Sequence, residues 1–230
     1  MSGSRLVHFA GSWLRFAAVV ALLAGPAVAE ESSPRELIQD ASDRVLESLR
    51  EQREAIRSDP DVAFAIARDR ILPLLDFERS ARWVLGPRWR EAGAAQRERF
   101  TSVFRDFLVR TYVTAMATYV DEIIAHGDRV TYLPVHFADD DVQTVVRAVI
   151  RLQSGMNAEV GYRVHRRDGP WKIYDVTFEG VSMLTTYRVS FASEIERHGL
   201  DDLIERLEKR GASAVLPLEG MVSPGPPGGQ

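Results

Sequence analysis

The sequence predicts an α+β domain in which an antiparallel four-stranded curved sheet packs against a layer of helices. Residues 33–119 repeat apolar side chains at three- and four-residue intervals, as amphipathic helices do. Residues 129–178 alternate apolar and polar side chains in four runs with short turns, which is typical of a meander. Helical spacing returns from Leu184 to Leu207, so helices flank the sheet in sequence and should cover one of its faces.

Residues 1–29 are predicted to be a signal peptide rather than part of the fold. Arg5 and Arg15 give this segment a positive n-region. The apolar run at 16–28 is too short for a membrane span, and the segment ends in A-V-A, which matches a cleavage site. We therefore expect an exported protein that is cleaved after Ala29.

The remaining composition fits one exported globular domain. Removing the two leader arginines from 29 basic residues leaves 27 against 33 acidic residues, and no basic stretch suits nucleic acid. Because the chain has no cysteine, we expect neither disulfides nor a lipidated cysteine, and the mature protein should be soluble without a membrane span. Residues 30–211 are apolar enough for a core, whereas 212–230 are rich in proline and glycine and predict a flexible tail.

The first three helices are predicted from the residues at their ends. The S-P-R-E sequence at 33–36 matches a capping box with proline in the first turn. The D-P pair at 59–60 again places a capping residue before a proline and predicts a second helix that extends to about Leu75. Pro73 should bend or end this helix. A third, short helix is expected to begin at Phe77 and to end near Gly86.

A fourth helix, from about Ala94 to Tyr119, carries the longest apolar stripe in the chain. The stripe comprises Phe100, Val103, Phe104, Phe107, Leu108, Thr111, Tyr112, Ala115, Met116 and Tyr119. It is wider than one core-facing seam requires. Two interpretations stay open: the helix is simply central to the core, or the stripe is one wall of a cavity and needs a second apolar wall opposite.

Four consecutive strands are expected to supply that second wall. Their predicted ranges are Arg129–Phe137, Asp141–Ser154, Ala158–Arg166 and Trp171–Phe178. In the second and third strands, alternate positions are mostly apolar while several of the others carry arginine, glutamate or histidine. One face of the sheet should therefore be dry and the other mixed.

The sequence contains no motif for nucleotide hydrolysis, a serine nucleophile or a metal site. No G-x-x-x-x-G-K-[ST] occurs, and G-V-S-M at 180–183 departs from a nucleophile elbow at its last position. The histidines outside the leader, His126, His136, His165 and His198, are too scattered for a ligand pair. Three aspartates at 139–141 are interpreted as a solvated turn, because adjacent side chains diverge and no glutamate completes a calcium loop.

Asp175 is the best candidate for a catalytic residue. It lies in an extended apolar run beside Tyr174, and a buried carboxylate on a curved sheet can act as a general base, as in cone-shaped isomerases. The alternative is structural: the carboxylate accepts hydrogen bonds from a backbone amide, a tyrosine or an arginine such as Arg188. We favour the structural role, in which Asp175 holds the sheet against the next helix.

The C-terminal part of the sequence resembles the signature of the MlaC, or toluene-tolerance, family of periplasmic phospholipid-binding proteins. The matching string at 171–191 is W-K-I-Y-D-V-T-F-E-G-V-S-M-L-T-T-Y-R-V-S-F. Further matches in the family's order and approximate spacing are Asp76, Phe77, Val84, Leu85, Gly86, Trp89, Phe100, Phe104, Leu108, Arg110, Thr111 and Tyr112. The resemblance extends over most of the predicted domain.

The resemblance implies a cystatin-like or NTF2-like cone with an apolar cavity between sheet and helices. It implies a periplasmic carrier that shuttles phospholipid between the inner and outer membranes, with acyl chains inside and head group outside, and so maintains outer-membrane lipid asymmetry. The implied partners are an inner-membrane ABC transporter with an MCE-domain subunit and an outer-membrane lipoprotein associated with a porin. The resemblance implies no catalysis and no cofactor.

We predict that twelve residues of the stripe, the sheet and the neighbouring helices contact the acyl chains. They are Val84, Phe104, Leu108, Tyr112, Met116, Val146, Ile150, Tyr162, Val164, Ile173, Val176 and Leu184. Two other functions stay open: a small-molecule enzyme of the cone-shaped isomerase type built on Asp175, and a periplasmic adaptor module that binds no lipid.

Overall fold

Residues 33–138, 140–152, 155–167 and 169–209 are described by a computed structural model of the chain. The helices are α1 (Pro34–Glu51), α2 (Arg53–Ser58), α3 (Asp61–Arg70), α4 (Phe77–Leu85), α5 (Arg88–Glu91), α6 (Ala94–Thr118), α7 (Val120–Gly127), α8 (Met183–His198) and α9 (Leu200–Lys209), and the strands are β1 (Val130–Tyr132), β2 (Gln143–Arg151), β3 (Asn157–His165), β4 (Lys172–Phe178) and β5 (Val181–Ser182). The predicted signal peptide, its cleavage site, the predicted tail and Asp139 lie outside these residues.

The predicted capping box begins α1. The backbone N–H of Ser33 donates to Glu36 Oε2 at 2.9 Å, and the Glu36 N–H donates to Ser33 Oγ at 3.3 Å. Pro34 occupies the first helical position, where its missing N–H costs nothing. The prediction from 33–36 is confirmed.

The second predicted helix is shorter than expected. It ends at Arg70 as α3, and a single 3-10 turn at Leu72–Leu74 contains Pro73. The chain then leaves helical geometry: Leu75 forms an isolated parallel bridge with Ile173, and the Asp76 N–H donates to the Ile173 carbonyl at 2.8 Å. The extension to Leu75 was wrong because this segment pairs with the edge of β4.

Two further helices were not expected from the sequence. α5 is a single short helix after Gly86, and α7 follows α6 directly after a change of backbone direction at Tyr119 (φ −105°, ψ 27°). On α7, Asp121 forms ion pairs with Arg53 and Arg57 of α2. The predicted long helix itself is confirmed as α6.

The strands form one antiparallel sheet in the order β1-β2-β3-β4-β5, which confirms the meander. β1 is much shorter than predicted because Pro134 has no N–H to donate to a neighbouring strand. β5 adds a two-residue fifth strand after a tight turn in which Glu179 and Gly180 have positive φ angles of 49° and 77°. The sheet is curved and open.

A bulge in β4 changes which side chains face the same way. Tyr162 pairs with Val176 and Val164 pairs with Ile173, with the register shifted between Arg163 and Val164. This leaves Tyr174 as an extra residue in β4. Ile173 and Val176 therefore share a face although they are three residues apart.

Buried apolar residues form three clusters. The helical cluster joins α4, α6, α8 and α9 through Ala81, Val84, Leu85, Phe100, Val103, Phe104, Leu184, Tyr187, Phe191, Leu203, Ile204 and Leu207. The α6–α7 cluster contains Leu49, Ile56, Ala63, Ile66, Ala67, Val113 and Val120, and the sheet cluster contains Ile38, Val146, Val164, Trp171 and Ile173. Within the described ranges, no helix is long and apolar enough to cross a membrane.

Candidate functional site

The long helix and the sheet have different principal neighbours. The strands take their principal helix contacts from α1, α4 and α8, whereas α6 packs mainly on α9, α4 and α3. The two walls expected from the sequence therefore belong largely to different sets of contacts. The apolar surfaces of the three clusters are taken as the candidate site.

The twelve residues predicted to contact lipid are divided among these clusters. The helical cluster contains Val84, Phe104 and Leu184, and Leu108 packs against it. The sheet cluster contains Val146, Val164 and Ile173, and Tyr162 and Val176 pack against it. Met116 packs against the α6–α7 cluster. Tyr112 contacts Tyr187, and Ile150 is half-buried in β2. The fold thus brings the predicted residues together in groups rather than in one continuous surface.

Accessibility separates the predicted residues into two kinds. Six of them are enclosed by neighbouring side chains: Val84, Phe104, Val146, Val164, Ile173 and Leu184. The other six keep part of their surface accessible: Leu108, Tyr112, Met116, Ile150, Tyr162 and Val176. Only accessible side chains can touch a ligand without rearrangement of the core, so the second set is the better candidate lining.

Tyr162 combines partial accessibility with strong desolvation. Burial raises the pKa of Tyr162 to about 12, and the neighbouring Tyr132 adds to the shift. Burial also raises the pKa of Tyr132, while Ser42 of α1 hydrogen-bonds to it and opposes that shift. Tyr162 is thus partly accessible although protein groups desolvate its hydroxyl.

A pocket opens beside the C-terminal half of α6. It has a volume of about 310 Å³ and is lined by Tyr112, Ala115, Met116, Tyr119, Glu122 and Ile123. Such a volume lies at the lower end of ligand pockets, which measure roughly 300–1,000 Å³. The lining is almost entirely apolar, as contact with an alkyl chain requires.

Tyr112 lies between this pocket and α8. Its hydroxyl is 3.0 Å from the Tyr187 hydroxyl. The pKa of Tyr112 is raised far above its ordinary value, first by burial and then by Tyr187, and burial also raises the pKa of Tyr187. Both phenols therefore stay neutral at physiological pH and link α6 to α8.

Sequence reasoning missed the contribution of α7 to the pocket. The three- and four-residue spacing that defines the stripe continues from Met116 through Val120 to Ile123 and Ile124. This signal could have extended the prediction beyond Tyr119. The turn at Tyr119 redirects these residues, so the continuation forms a second helix.

Asp175 is enclosed and fully engaged by protein groups. Its Oδ2 accepts a hydrogen bond from Ser182 Oγ at 2.7 Å, its Oδ1 accepts one from the Leu184 N–H at 3.2 Å, and Arg163 Nε lies 3.7 Å from Oδ2. The carboxylate thus fastens β4 to the start of α8. These contacts are those expected for the structural role of Asp175.

The arginine beside Asp175 differs from the one suggested by the sequence. Arg163 of β3 occupies that place, whereas the guanidinium of Arg188 lies against Gly86 at the end of α4. The suggestion of Arg188 was wrong because the strand register places Arg163 directly opposite Asp175. Local sequence spacing does not report this cross-strand pairing.

No group of three or more His, Cys, Asp or Glu side chains is arranged to hold a metal ion in the part of the chain that the structure describes. His165 is buried at the end of β3, and its Nε2 lies 2.7 Å from Asp76 Oδ2. Asp76 also accepts a hydrogen bond from the Arg79 N–H at 2.8 Å and so caps α4. The pair joins a strand to a helix.

Comparison with known proteins identifies relatives over most of the chain. The family model described as MlaC protein matches residues 39–209. The chain is 26% identical over 206 residues to the intermembrane phospholipid transport system binding protein MlaC of Haemophilus influenzae, covering 88% of this chain and 93% of that protein. It is 27% identical over 193 residues to toluene tolerance protein ttg2D of Pseudomonas putida, covering 83% of this chain and 86% of that protein.

A solved structure shares the fold. The phospholipid-binding protein from Ralstonia solanacearum, determined in complex with a phospholipid, matches this chain with a TM-score of 0.67 and 27% sequence identity. The match covers 79% of this chain and 98% of that chain. The likeness therefore extends over nearly the whole of a fold that holds a phospholipid.

Proposed function

Because this chain belongs to the MlaC family, we propose that it binds a phospholipid and carries it between membranes. The observation that carries the proposal is the match to a phospholipid complex over 98% of that chain. The names of the relatives from Haemophilus influenzae and Pseudomonas putida, which refer to phospholipid transport and toluene tolerance, support the same function.

The energetics of the cargo favour an apolar interior over head-group recognition. Two acyl chains contain roughly 30 methylenes, and exposing them to water costs on the order of 20 kcal/mol. Hydrogen bonds to a head group contribute about 1 kcal/mol each, so they cannot offset this cost. The chains must therefore be enclosed, while the head group can stay in solvent.

The interior between the three clusters is the proposed place for the acyl chains. In support of this placement, Leu108 and Met116 pack against the helical and α6–α7 clusters, and Tyr162 and Val176 pack against the sheet cluster. Tyr112 contacts Tyr187 of the helical cluster. Apart from Tyr187, these residues are partly accessible, in contrast to the enclosed core positions. The pocket of about 310 Å³ beside Met116 adds an accessible apolar surface on α6 and α7.

Transport by this chain would be passive and would take place in the periplasm. The sequence has no nucleotide-hydrolysis motif, so a partner must set the direction of transfer. We propose an inner-membrane ABC transporter with an MCE-domain subunit and an outer-membrane lipoprotein associated with a porin as the two partners. A catalytic activity is not part of the proposal, because Asp175 is committed to holding β4 and α8 together.

Photocrosslinking of lipid tests the proposed interior. A photoreactive phenylalanine analogue placed at Leu108, Met116 or Val176 should crosslink to copurified or added phospholipid, with the adduct detected by mass spectrometry. The matched control is Val189 on the outside of α8, which is 69% exposed and should give no adduct.

Two results would refute the proposed function. If organic extraction of the purified protein releases no phospholipid and added phospholipid does not bind, the chain is an adaptor without lipid. Equal crosslinking at Val189 and at the interior positions would place the lipid on the surface and overturn the proposed site.

A further inference from the structure

The face of the sheet opposite the sheet cluster, together with adjoining residues of α4, carries exposed aromatic, apolar and basic side chains. We define the outer-sheet patch as Arg79, Trp83, Val145, Arg147 and Arg163. Val145 and Arg163 are cross-strand partners, and they face away from Val146 and Val164 of the sheet cluster. Trp83 is 37% exposed and Val145 is 39% exposed, so an aromatic and an aliphatic side chain are accessible beside the arginines.

The cationic groups of this patch are held in place by aromatic rings. The guanidinium carbon of Arg163 lies 5.6 Å from the centre of the Trp83 ring, and that of Arg79 lies 4.5 Å from the centre of the Tyr174 ring. Arg79 also donates a hydrogen bond to Gln143 at 3.2 Å. Stacked arginines lose little further side-chain freedom on binding, so the patch is organised before a partner arrives.

The patch has an excess of positive charge. Arg79 contacts a neutral amide and a neutral ring, and Arg163 lies 3.7 Å from Asp175, whose oxygens already accept hydrogen bonds within the protein. Arg147 has an acidic neighbour, Glu159, at 3.7 Å. Among the described residues, the ion pairs of these three arginines are with Glu159 and with the buried Asp175, in a chain whose formal net charge is −4.

We propose that the outer-sheet patch docks a protein partner that presents carboxylates to it. Trp, Tyr and Arg dominate the energetics of protein interfaces, and arginine forks match carboxylate geometry. A lipid bilayer fits the patch less well than a protein does. Trp83 lies against Tyr174, with ring centres 6.3 Å apart, whereas a side chain that inserts into a bilayer extends away from the protein surface. The proposal rests on the proposed function, since a passive carrier must dock to receive and release its lipid.

The test measures binding of the lipid-loaded protein to two purified probes from the same organism: the periplasmic domain of the MCE-domain subunit and the outer-membrane lipoprotein. Biolayer interferometry at low and high ionic strength compares wild type with Arg147→Glu and with an Arg79→Glu/Arg147→Glu double variant. The control is Arg105→Glu on α6, an arginine of similar exposure paired with its neighbour Asp106. Arg147 is 61% exposed, so its replacement should not disturb folding.

We expect the wild-type protein to bind at least one probe, and to bind it more weakly at high ionic strength than at low ionic strength. The dissociation constant of the double variant should be at least about tenfold higher than that of wild type. Arg105→Glu should bind like wild type. Absence of binding by wild type, equal loss in the control, or unchanged binding by the double variant would overturn the proposal. Patch-dependent binding to vesicles of phosphatidylglycerol and phosphatidylethanolamine, without protein binding, would also overturn it.

The lipid content of the same preparations separates this proposal from the proposed function. If the proteins contain phospholipid but the patch variants bind the probes normally, only the docking surface is wrong. If no preparation contains or takes up phospholipid, the carrier function itself is wrong.

Discussion

Asp175 shows how a single buried carboxylate connects two segments of this fold. It accepts hydrogen bonds from Ser182 Oγ and from the Leu184 N–H, and Ser182 in turn caps α8 by accepting from the Thr185 N–H at 3.0 Å. Removal of the carboxylate therefore leaves buried donors without acceptors, which costs more than the hydrogen bonds themselves contribute.

Two replacements of Asp175 distinguish the contribution of its charge to stability from the contribution of its hydrogen bonds. Asp175→Asn keeps an acceptor for the Leu184 N–H and should lower the free energy of unfolding by about 1 kcal/mol, whereas Asp175→Ala should lower it by about 3 kcal/mol. Urea denaturation measures both values. Phospholipid content should be unchanged in Asp175→Asn, and equal stability of the two variants would contradict the assigned role.

Tyr162 should make the protein sensitive to alkaline pH. Its pKa is raised to about 12 in the folded protein, against about 10 when unfolded, so the folded state retains the phenolic proton more strongly. The associated stability is fully present below pH 10 and is lost as the pH rises to about 12, up to roughly 2 to 3 kcal/mol.

Tyr162→Phe should remove this pH dependence. The variant should lose less stability than wild type between pH 10 and about 12, as measured by urea denaturation across that range. The other tyrosines are present in both proteins, so the difference isolates Tyr162. Parallel stability curves for the two proteins would show that the phenol is not desolvated.

Among the elements, α4 depends on the capping residue that precedes it for two contacts. Asp76 caps the helix through the Arg79 N–H and also meets His165 Nε2 at 2.7 Å, so it ties α4 to β3. Asp76→Ala should lower the free energy of unfolding by about 2 kcal/mol, because a cap and a partly buried partner are both lost. Ser33→Ala, which removes an exposed cap on α1, is the control and should cost about 1 kcal/mol or less. Equal losses would mean that the contact with His165 adds nothing.

At the scale of the molecule, the division of the core into three clusters has a thermodynamic consequence. A domain of this size usually has one contiguous core. Here α6 contributes to the helical and α6–α7 clusters, and α1 contributes to the α6–α7 and sheet clusters, so these two helices connect all three clusters. A ligand that fills the interior should link the clusters and stabilise the fold.

Delipidated protein should therefore unfold at a lower temperature than protein purified with its lipid. Ligand at 100 times its dissociation constant adds about 2.7 kcal/mol, which raises the melting temperature by roughly 5 to 10 °C for a domain of this size. Differential scanning calorimetry before and after delipidation measures the shift, and reloading with phospholipid should restore it. Identical melting temperatures for all three preparations would contradict a lipid-filled interior.

Local signals in the sequence were sufficient for most of the secondary structure. The cap at Ser33, the stripe of α6, the strand alternation and the glycine after α4 each act through residues close in sequence, so the elements and the meander order follow from them. The family resemblance was likewise carried by residues along the chain. The assignment of the twelve lipid contacts stays a prediction.

Tertiary packing decided what no local pattern contains. The β4 bulge places Ile173 and Val176 on one face, strand register sets Arg163 opposite Asp175, and the turn at Tyr119 redirects the apolar spacing into α7. The principal neighbours of α6 and of the sheet, and the assembly of the outer-sheet patch, also depend on contacts between residues that are distant in sequence. The physical reason is that periodicity reports which face of an element is apolar, whereas the choice of partner depends on how all the elements pack together at once.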